Sequence, residues 1–323
     1  MSQRVLITGA SGFIGTNLAA HYLAQGAQVM NFDKAPPKNE AHKALWRHGD
    51  LRDREALAAA FRDFKPDLVL HAGARADIAG KLLSDYTSNT DGTRNLVDVA
   101  TQTPSVRKVV NFSTMLVCRL GYQPTHDEDY RPNNAYGVSK VEGERIFRTA
   151  NAPFAWSIVR PTSIWGPWFG SPYRAFFAMV CRGLYVHPRG RGSQRNYGYI
   201  GNVVKQIATI AESEQANRGT FYVGDYAPID VRDWGNEIAA QCGRPPIREL
   251  PSFLFSMGAA AGDMLQKLGW ADPPLSSRRF NNLLTMAIFD MSATQALCPE
   301  LPYDMKGGVA ETLAWMKTQR RDA

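Results

Sequence analysis

The sequence has few cysteines and no cluster of the residue types that bind metals. Its four cysteines stand far apart without a Cys-x-x-Cys pair, so they predict neither a disulfide framework nor a zinc site. The six histidines also lack metal-ligand spacing. We therefore expect a protein of a reducing cytoplasm that binds no metal. A strand pattern that begins by Val5 predicts no signal peptide.

Long hydrophobic runs and runs of one charge are also missing. The most apolar stretch, residues 253–261, is too short to span a bilayer. We expect no integral membrane segment, and we interpret this stretch as a buried helix in preference to an interfacial or dimer helix. The net charge of +7 is spread along the chain and fits an anionic small molecule at least as well as a nucleic acid. Since no nucleic-acid motif is present, no nucleic-acid partner is expected.

The most informative motif that is present lies at residues 7–15, Ile-Thr-Gly-Ala-Ser-Gly-Phe-Ile-Gly. A short apolar run precedes it, and a helical apolar pattern follows from Phe13. The three glycines put no Cβ in the way of backbone N–H groups that hold a diphosphate at a helix N-terminus. Between a strand and a helix, this spacing is typical of dinucleotide binding.

An acidic residue, Asp33, ends the second apolar run, residues 28–32. It stands where a carboxylate accepts a hydrogen bond from the ribose 2′-hydroxyl of NAD. The same carboxylate would repel the 2′-phosphate of NADP, whereas the neighbouring Lys34 would attract it. The expected cofactor is therefore NAD, with NADP as the less favoured alternative.

Strand-like and helix-like stretches alternate through the first half of the chain. This alternation predicts βαβ units and an α/β fold, a Rossmann-type doubly wound parallel sheet with helices on both faces. Strands are predicted at 4–8, 28–32, 67–71, 108–113, 155–160 and 219–223, and helices at 13–25, 53–63, 85–102, 135–150, 230–240 and 252–268.

The pattern changes after Arg160, where prolines become frequent and irregular chain leaves the sheet. We expect residues 1–162 to form the NAD-binding domain, with residues of about 195–225 returning to it. Residues 163–323 are expected to form mainly a smaller C-terminal substrate domain.

A second motif, Tyr136-Gly-Val-Ser-Lys140, places a phenol and an ammonium four residues apart, on one face of a predicted helix. A tyrosine that acts as a base near neutral pH needs its pKa lowered by about three units. A nearby lysine and an oxidised nicotinamide ring both favour the phenolate. Ser113-Thr114, at the end of a predicted strand, supplies a hydroxyl that can orient a substrate oxygen.

Together these motifs resemble those of the extended short-chain dehydrogenase/reductases, the superfamily of sugar-nucleotide epimerases and dehydratases. The resemblance runs nearly from end to end of the chain. Its further motifs are Gly49-Asp50-Leu51-Arg52, His71-Ala-Gly-Ala74, Asn89-Thr-Asp-Gly-Thr-Arg-Asn-Leu96, Arg160-Pro-Thr-Ser-Ile-Trp-Gly-Pro167 and the segment 190–202.

The resemblance implies roles for individual residues. The implied cofactor site consists of Gly9, Ser11, Gly12, Phe13, Ile14, Gly15, Asp33, Asp50, Leu51, His71, Ala72, Gly73, Ala74, Asn89, Ser113, Tyr136, Lys140 and Pro161. Thr114, Tyr136 and Lys140 are the implied catalytic residues, and Arg75, Thr114, Ser163 and Arg195 the implied substrate contacts. Asn89 is expected to brace the active site. For His71, which ends an apolar strand, packing is a stronger expectation than proton transfer.

The chemistry implied is reversible hydride transfer at a hydroxyl carbon. Nucleotide-sugar dehydratases of this superfamily carry Asp-Glu after the catalytic threonine, whereas Met115-Leu116 follow Thr114. An aliphatic pair cannot move protons, so a dehydratase is disfavoured. We expect an NAD-dependent epimerase that oxidises a nucleotide-activated sugar transiently at C4, with Arg195 contacting the diphosphate.

Departures from the family pattern leave the sugar open. Ser163 stands where many epimerases have Asn, and Trp165 replaces a usual Tyr. An NAD(P)-dependent dehydrogenase or reductase of the hydroxysteroid or a related alcohol type is the alternative. A non-catalytic dinucleotide-binding module is a third, which the complete set of catalytic residues disfavours. By family analogy, a homodimer is expected through the helices at 85–102 and 135–150.

Overall fold

A computed structural model of the 323-residue chain describes residues 2–190, 194–270, 273 and 275–319. The strands within them are β1 (Arg4–Thr8), β2 (Gln28–Asp33), β3 (Trp46–His48), β4 (Leu68–His71), β5 (Lys108–Phe112), β6 (Ala155–Pro161), β7 (Ser163–Trp165), β8 (Val186–Pro188), β9 (Gln194–Arg195), β10 (Tyr197–Tyr199), β11 (Thr220–Val223), β12 (Ile229–Asp230) and β13 (Arg248–Leu250). The helices are α1 (Phe13–Ala24), α2 (Arg54–Phe64), α3 (Thr87–Thr101), α4 (Ala135–Thr149), α5 (Tyr173–Cys181), α6 (Ile200–Glu212), α7 (Val231–Gln241), α8 (Ser252–Lys267), α9 (Ser277–Leu284), α10 (Ser292–Leu297) and α11 (Met305–Thr318).

The described residues form a seven-stranded parallel sheet in the order β11-β6-β5-β4-β1-β2-β3. The strand order reverses at β1, which lies between β2 and β4, and in open α/β sheets such a reversal opens a crevice at the carboxyl ends of the strands. The predicted α/β, doubly wound fold is confirmed.

Both faces of the sheet are covered, which is why its central strands are continuous apolar runs. All residues of β4 and β5 are buried. On one face, Phe61 of α2, Leu96 of α3 and Phe147 of α4 pack against the strands in one hydrophobic cluster. On the other face, α1 and α6 lie against each other, and α6 contacts β5 and β6. The apolar pattern of each helix therefore fixes which side faces the sheet.

The chain divides into two compact units. Unit 1 comprises residues 1–168, 198–226 and 290–303, and unit 2 comprises residues 169–197, 227–289 and 304–323. Unit 1 contains the whole parallel sheet.

Unit 2 is built around an aromatic cluster on Trp234 of α7. The ring centroids of Tyr197, Phe176 and Phe177 lie 4.9, 5.1 and 5.6 Å from the Trp234 ring, at angles that are tilted or edge-on. The expectation of irregular chain between Arg160 and the returning strand is wrong for α5, which begins directly after Pro172. Proline is well tolerated at the start of a helix because the N–H that it lacks has no intrahelical partner there.

Two of the cysteines form a disulfide, contrary to the expectation from their spacing. Cys181 ends α5 and Cys242 follows α7, with Cα atoms 5.3 Å apart and the sulfurs bonded. The two helices pack side by side, which brings together cysteines that are 61 residues apart in the chain. Cys118 and Cys298 are buried free thiols.

Helix α8 contains the apolar stretch 253–261, and the expectation that it is buried is also wrong. Of its residues only Ala259 and Gly262 are buried, whereas Phe253 and Met257 are 61% and 65% exposed. Within the described ranges, no helix is both long and apolar enough to cross a membrane.

Candidate active site

A cleft of about 620 Å³ lies in unit 1, where β1 to β6 end and the sheet order reverses. Most of the residues that the sequence implied for cofactor and substrate line it: Gly9, Ser11, Gly12, Phe13, Ile14, Gly15, Asp33, Asp50, Leu51, Ala72, Gly73, Ala74, Arg75, Ser113, Thr114, Tyr136, Lys140 and Pro161. The cleft has further lining residues that the sequence reasoning did not assign, among them Ser88 and Thr162. Thr162 lies inside the motif 160–167, and that motif could have indicated it as a residue of the cleft.

The glycine loop between β1 and α1 is held tightly against the end of β4. Gly9 has a φ of +75°, and a Cβ on it would lie 2.6 Å from the Cα of Gly73. A Cβ on Gly15 would lie 2.4 Å from the carbonyl oxygen of Gly9. At Gly12, by contrast, the nearest atom to a Cβ would be the Gly9 oxygen at 3.1 Å. The first and third glycines therefore close the turn, and the middle one is less crowded and lines the cleft.

The carboxylate of Asp33 closes the loop from the neighbouring strand. It accepts hydrogen bonds from the backbone N–H of Ser11 at 3.1 Å and from that of Ala35 at 3.0 Å. A carboxylate has capacity for further donors, so Asp33 at the rim of the cleft can also accept a ribose hydroxyl.

Asp50, a member of the implied cofactor site, is paired with Arg52. Its two carboxylate oxygens accept from Arg52 Nε at 3.0 Å and Arg52 Nη2 at 2.6 Å. The hydrogen bonds from Arg52 lower the pKa of Asp50 to about 2, so the group is ionised under all ordinary conditions.

His71 and Asn89 do not line the cleft but support its wall. The ring nitrogens of His71 lie 2.8 Å from Thr8 Oγ1 and 3.1 Å from Thr93 Oγ1. Burial lowers the pKa of His71 to about 3, with Lys140 acting in the same direction, so the ring is neutral.

Asn89, at the start of α3, bonds both backbone groups of Arg75. Its Oδ1 accepts from Arg75 N at 2.8 Å, and its Nδ2 donates to Arg75 O at 3.0 Å and to Ser139 Oγ at 3.0 Å. Asn89 thus links the loop after β4 to the helix that carries Tyr136 and Lys140.

Helix α4 presents Tyr136 and Lys140 to the cleft one turn apart. Asn134 begins the helix, and its Oδ1 accepts from Gly137 N at 2.8 Å. Burial raises the pKa of Tyr136 to about 12, although the neighbouring Thr114 side chain acts in the opposite direction. Burial also lowers the pKa of Lys140 to about 8, against the attraction of Glu144. A phenolate at Tyr136 near neutral pH therefore depends on added positive charge in the cleft.

A buried ionic network that the sequence reasoning missed lies directly behind these residues. Glu144, one turn beyond Lys140, accepts from Ser113 Oγ at 2.5 Å and from Tyr130 Oη at 2.9 Å. Arg160 of β6 donates to both Glu144 oxygens, at 2.8 and 2.7 Å. The only available signal was an acid at i+4 from the lysine. The network fixes α4 against the ends of β5 and β6.

The other two implied substrate residues lie outside the lining of the cleft. Ser163 is buried in β7 of unit 1. Arg195, in unit 2, is 7% exposed, and its guanidinium donates to Thr285 O at 3.0 Å and to Asn282 Oδ1 at 3.4 Å.

The residues present fit a bound dinucleotide. The tight turn at Gly9 and Gly15, the backbone of Gly12 in the lining of the cleft and the N-terminus of α1 provide a diphosphate cradle. Asp33 stands at the end of β2, where a ribose would lie. No group of three or more His, Cys, Asp or Glu in the described part of the chain could hold a metal ion.

Comparisons with known proteins agree with this geometry. Residues 5–224 match the model of the NAD dependent epimerase/dehydratase family. The chain is 26% identical, over 98% of its length and 96% of the other's, to an Escherichia coli O157:H7 N-acetyl-alpha-D-glucosaminyl-diphospho-ditrans,octacis-undecaprenol 4-epimerase. It is 27% identical to a 3-beta-hydroxysteroid dehydrogenase of Mycolicibacterium neoaurum, over 83% of this chain and 76% of that one.

Among solved structures, a UDP-glucose 4-epimerase from Thermotoga maritima with UDP-glucose has the same fold. Its TM-score is 0.77 at 18% identity, covering 98% of this chain and all of the other. Since the family model spans well over half of the sequence, the chain is an enzyme of the NAD dependent epimerase/dehydratase family, as its motifs predicted.

Proposed function

We propose that the protein is an NAD-dependent epimerase of a nucleotide-activated sugar that acts by transient oxidation at C4. The observation that carries the proposal is that Thr114, Tyr136 and Lys140 line the same cleft as the glycine loop. Thr114 orients the sugar hydroxyl, and Tyr136 accepts its proton and later returns it. Lys140 stabilises the Tyr136 phenolate and holds the nicotinamide ribose.

A bound NAD would supply the hydride acceptor and donor, and the positive charge of its oxidised ring would favour the phenolate of Tyr136. An epimerase differs from a dehydrogenase because the keto sugar must rotate in the site between the two hydride transfers, so that the hydride returns to its other face. Proton transfer by an acid pair has no place in this scheme. Met115 and Leu116, which follow Thr114, form a short helical turn that Thr114 caps through the Leu116 N–H at 3.2 Å.

The names of similar proteins support a substrate that contains a sugar diphosphate. The E. coli relative acts on a sugar joined by a diphosphate to undecaprenol, and the T. maritima structure contains UDP-glucose. The shared element is the diphosphate. We assign Arg195 to it, since a guanidinium pairs with phosphate oxygens in a bidentate manner. The same proposal includes substrate binding by unit 2 and a preference for NAD over NADP. It also includes a cytoplasmic location and a homodimer.

The second candidate is a hydroxysteroid or related alcohol dehydrogenase, which the similarity to the M. neoaurum enzyme favours. The same three catalytic residues would serve it. It differs in needing a freely exchanging cofactor and no diphosphate contact.

The deciding experiment first identifies small molecules released from the denatured, purified protein by mass spectrometry. Stoichiometric NAD, together with interconversion of C4 epimers of a UDP-sugar followed by NMR, supports the epimerase. A protein that is isolated empty and oxidises a sterol with added cofactor, but leaves UDP-sugars unchanged, would assign it to the second class.

Variants at Arg195 separate phosphate binding from structural support. We expect Arg195→Ala to raise KM for the UDP-sugar strongly. The control Asn282→Ala removes a side-chain partner of Arg195 and should change KM little. Equal KM values for the wild type and Arg195→Ala would show that Arg195 does not bind the diphosphate of the substrate.

A further inference from the structure

The outward face of α8 is a continuous apolar surface. Along the helix, residues that project within one arc of about 140°, at 100° per residue, are all apolar. They are Phe253, Leu254, Met257, Ala260, Ala261, Met264, Leu265 and Leu268, the last of which directly follows the helix, and all are exposed. We call these eight residues the α8 face. The opposite side of the helix, with buried Ala259 and Gly262, faces the protein and packs on α9.

This surface is unusual for a helix in water. Met257, Met264 and Leu268 are 65%, 64% and 73% exposed, and a surface helix normally presents charged or polar residues on its outer side. The two ionisable residues of α8, Asp263 and Lys267, lie beside the arc and not within it. Asp263 accepts a hydrogen bond from the Ser277 N–H at 3.0 Å. An apolar patch of this kind marks an interaction site.

The surroundings of the α8 face carry positive charge. Arg248 and Arg189 are exposed at the start of the helix, where Ser252 Oγ donates to Arg189 O. Lys267 is exposed at its end. The acid closest in sequence to the start, Glu249, is already paired with Arg232 at 3.1 Å. An apolar strip with cations at both ends complements a surface that has anionic headgroups above a hydrocarbon layer.

An aromatic residue reinforces this complementarity. Trp270, three residues after α8, is 52% exposed. Tryptophan favours the boundary between headgroups and acyl chains because it has an apolar ring system and one polar N–H. At 1.5 Å per residue, the 16 residues of α8 form a rod of about 24 Å, long enough to lie in that boundary.

We propose that the α8 face binds the surface of an anionic lipid bilayer, with the helix lying parallel to the membrane plane. The absence of any polar side chain from the arc favours lipid over protein. Protein interfaces contain about one hydrogen bond per 100–200 Å², and this face offers no side-chain donor or acceptor. Hydrocarbon requires none. The proposal is independent of the sugar that the cleft accepts.

The test is sedimentation of the full-length protein with vesicles of phosphatidylcholine containing phosphatidylglycerol, compared with phosphatidylcholine alone. We expect the wild type to bind the anionic vesicles, and to bind them less as salt is added. The double variant Met257→Glu/Met264→Glu should bind at least about tenfold more weakly, because two exposed apolar side chains become charged. Both positions are mostly exposed, so folding should persist, which a thermal melt verifies.

Two further variants make the result specific. Met179→Glu/Met286→Glu introduces the same change at exposed methionines of unit 2 outside α8 and should bind vesicles as the wild type does. Arg248→Glu/Lys267→Glu should lose the preference for anionic vesicles.

Three results would overturn the proposal. The first is that the wild type does not bind vesicles, and the second is that the wild type and Met257→Glu/Met264→Glu bind them equally. The third is that the wild type is a dimer that binds no vesicles and that Met257→Glu/Met264→Glu loses the dimer. The last would make the α8 face a contact between two copies of the chain.

Discussion

Glu144 and Arg160 form an ion pair in the interior of unit 1, with Arg160 Nη2 2.7 Å from Glu144 Oε2 and side-chain exposures of 0% and 1%. Burial opposes the charge on Arg160, but the hydrogen bonds and attraction of Glu144 raise its pKa above the ordinary value. The pair joins the helix that carries Lys140 to the strand that ends in the cleft. It therefore couples stability to the geometry of the site.

Removing one partner of this pair should be strongly destabilising. We expect Glu144→Ala to lower the free energy of unfolding by about 3–5 kcal/mol, because it leaves a buried guanidinium without its counter-charge. The double variant Glu144→Gln/Arg160→Met should recover much of this loss, since it removes the buried guanidinium together with its counter-charge. Urea unfolding measures both.

The neighbouring acid on the same helix provides a control for this prediction. Glu142 forms a 3.7 Å ion pair with Arg94 in which both side chains are at least one third exposed. Glu142→Ala should cost less than about 1 kcal/mol. Similar losses for Glu144→Ala and Glu142→Ala would contradict the importance assigned to the buried pair.

The hydroxyl of Tyr136 should be required for turnover and dispensable for folding. We expect Tyr136→Phe to lower kcat by about 10²–10⁴-fold, the usual contribution of a general base, while bound NAD is retained. Kinetics on the accepted UDP-sugar and mass spectrometry of released cofactor measure the two effects.

Tyr22 offers a matched substitution for Tyr136. Its hydroxyl is buried and has no hydrogen-bond partner among the described residues, so Tyr22→Phe removes the same group from a site away from the cleft. It should leave kcat unchanged and stability equal or higher. Full turnover by Tyr136→Phe would exclude the proposed mechanism.

The ammonium of Lys140 should reduce stability at neutral pH. Burial lowers its pKa to about 8, against about 10.5 in an unfolded chain. Below pH 8 the group is charged in both states, and its burial costs about 3 kcal/mol. Between pH 8 and 10.5 the unfolded chain binds more protons than the folded one, so this cost declines as pH rises.

Lys140→Met should therefore abolish activity and yet raise the free energy of unfolding at pH 7. The gain over the wild type should shrink as the pH of the urea titration is raised from 8 to 10.5. Lys205→Met on α6, where the lysine is exposed, should show neither effect. A Lys140→Met protein that is less stable than the wild type at pH 7 would refute the burial cost.

Sequence reasoning located the sheet well because its signals are local. The six predicted strands lie within one residue of those observed, and the predicted helices within two. β3 was missed because Trp46-Arg47-His48 is not an apolar run. α5 was missed because prolines were taken as breakers, although Pro172 begins a helix.

The cleft was also largely predictable, since the glycine loop and the Tyr136/Lys140 pair are short motifs. The features that the sequence did not predict depend on contacts between distant parts of the chain. In the sequence Glu144 fits the pattern of an ordinary helix residue, and its pairing with Arg160 becomes visible only when the helix packs on the strand. The bond between Cys181 and Cys242 depends on how two helices pack, which residue spacing does not encode. The exposure of the α8 face likewise depends on which side of the helix the protein covers.

The last prediction concerns the addition of a single methyl group at two glycines with the same backbone conformation. Gly9 and Gly26 have φ angles of +75° and +76°, so alanine is strained at both, at a cost of about 1–2 kcal/mol. At Gly26 a Cβ would meet no atom of the described chain within 4 Å, whereas at Gly9 it would lie 2.6 and 2.7 Å from the Cα and N of Gly73. Because the clashing atoms of Gly73 belong to the backbone and cannot rotate away, Gly9→Ala must displace the loop.

We expect the free energy of unfolding of Gly9→Ala to be lower than that of Gly26→Ala by at least about 2 kcal/mol. We also expect Gly9→Ala to be purified without NAD, whereas Gly26→Ala retains the cofactor. Equal stability and equal NAD content in the two variants would show that the close contact between Gly9 and Gly73 does not shape the cradle.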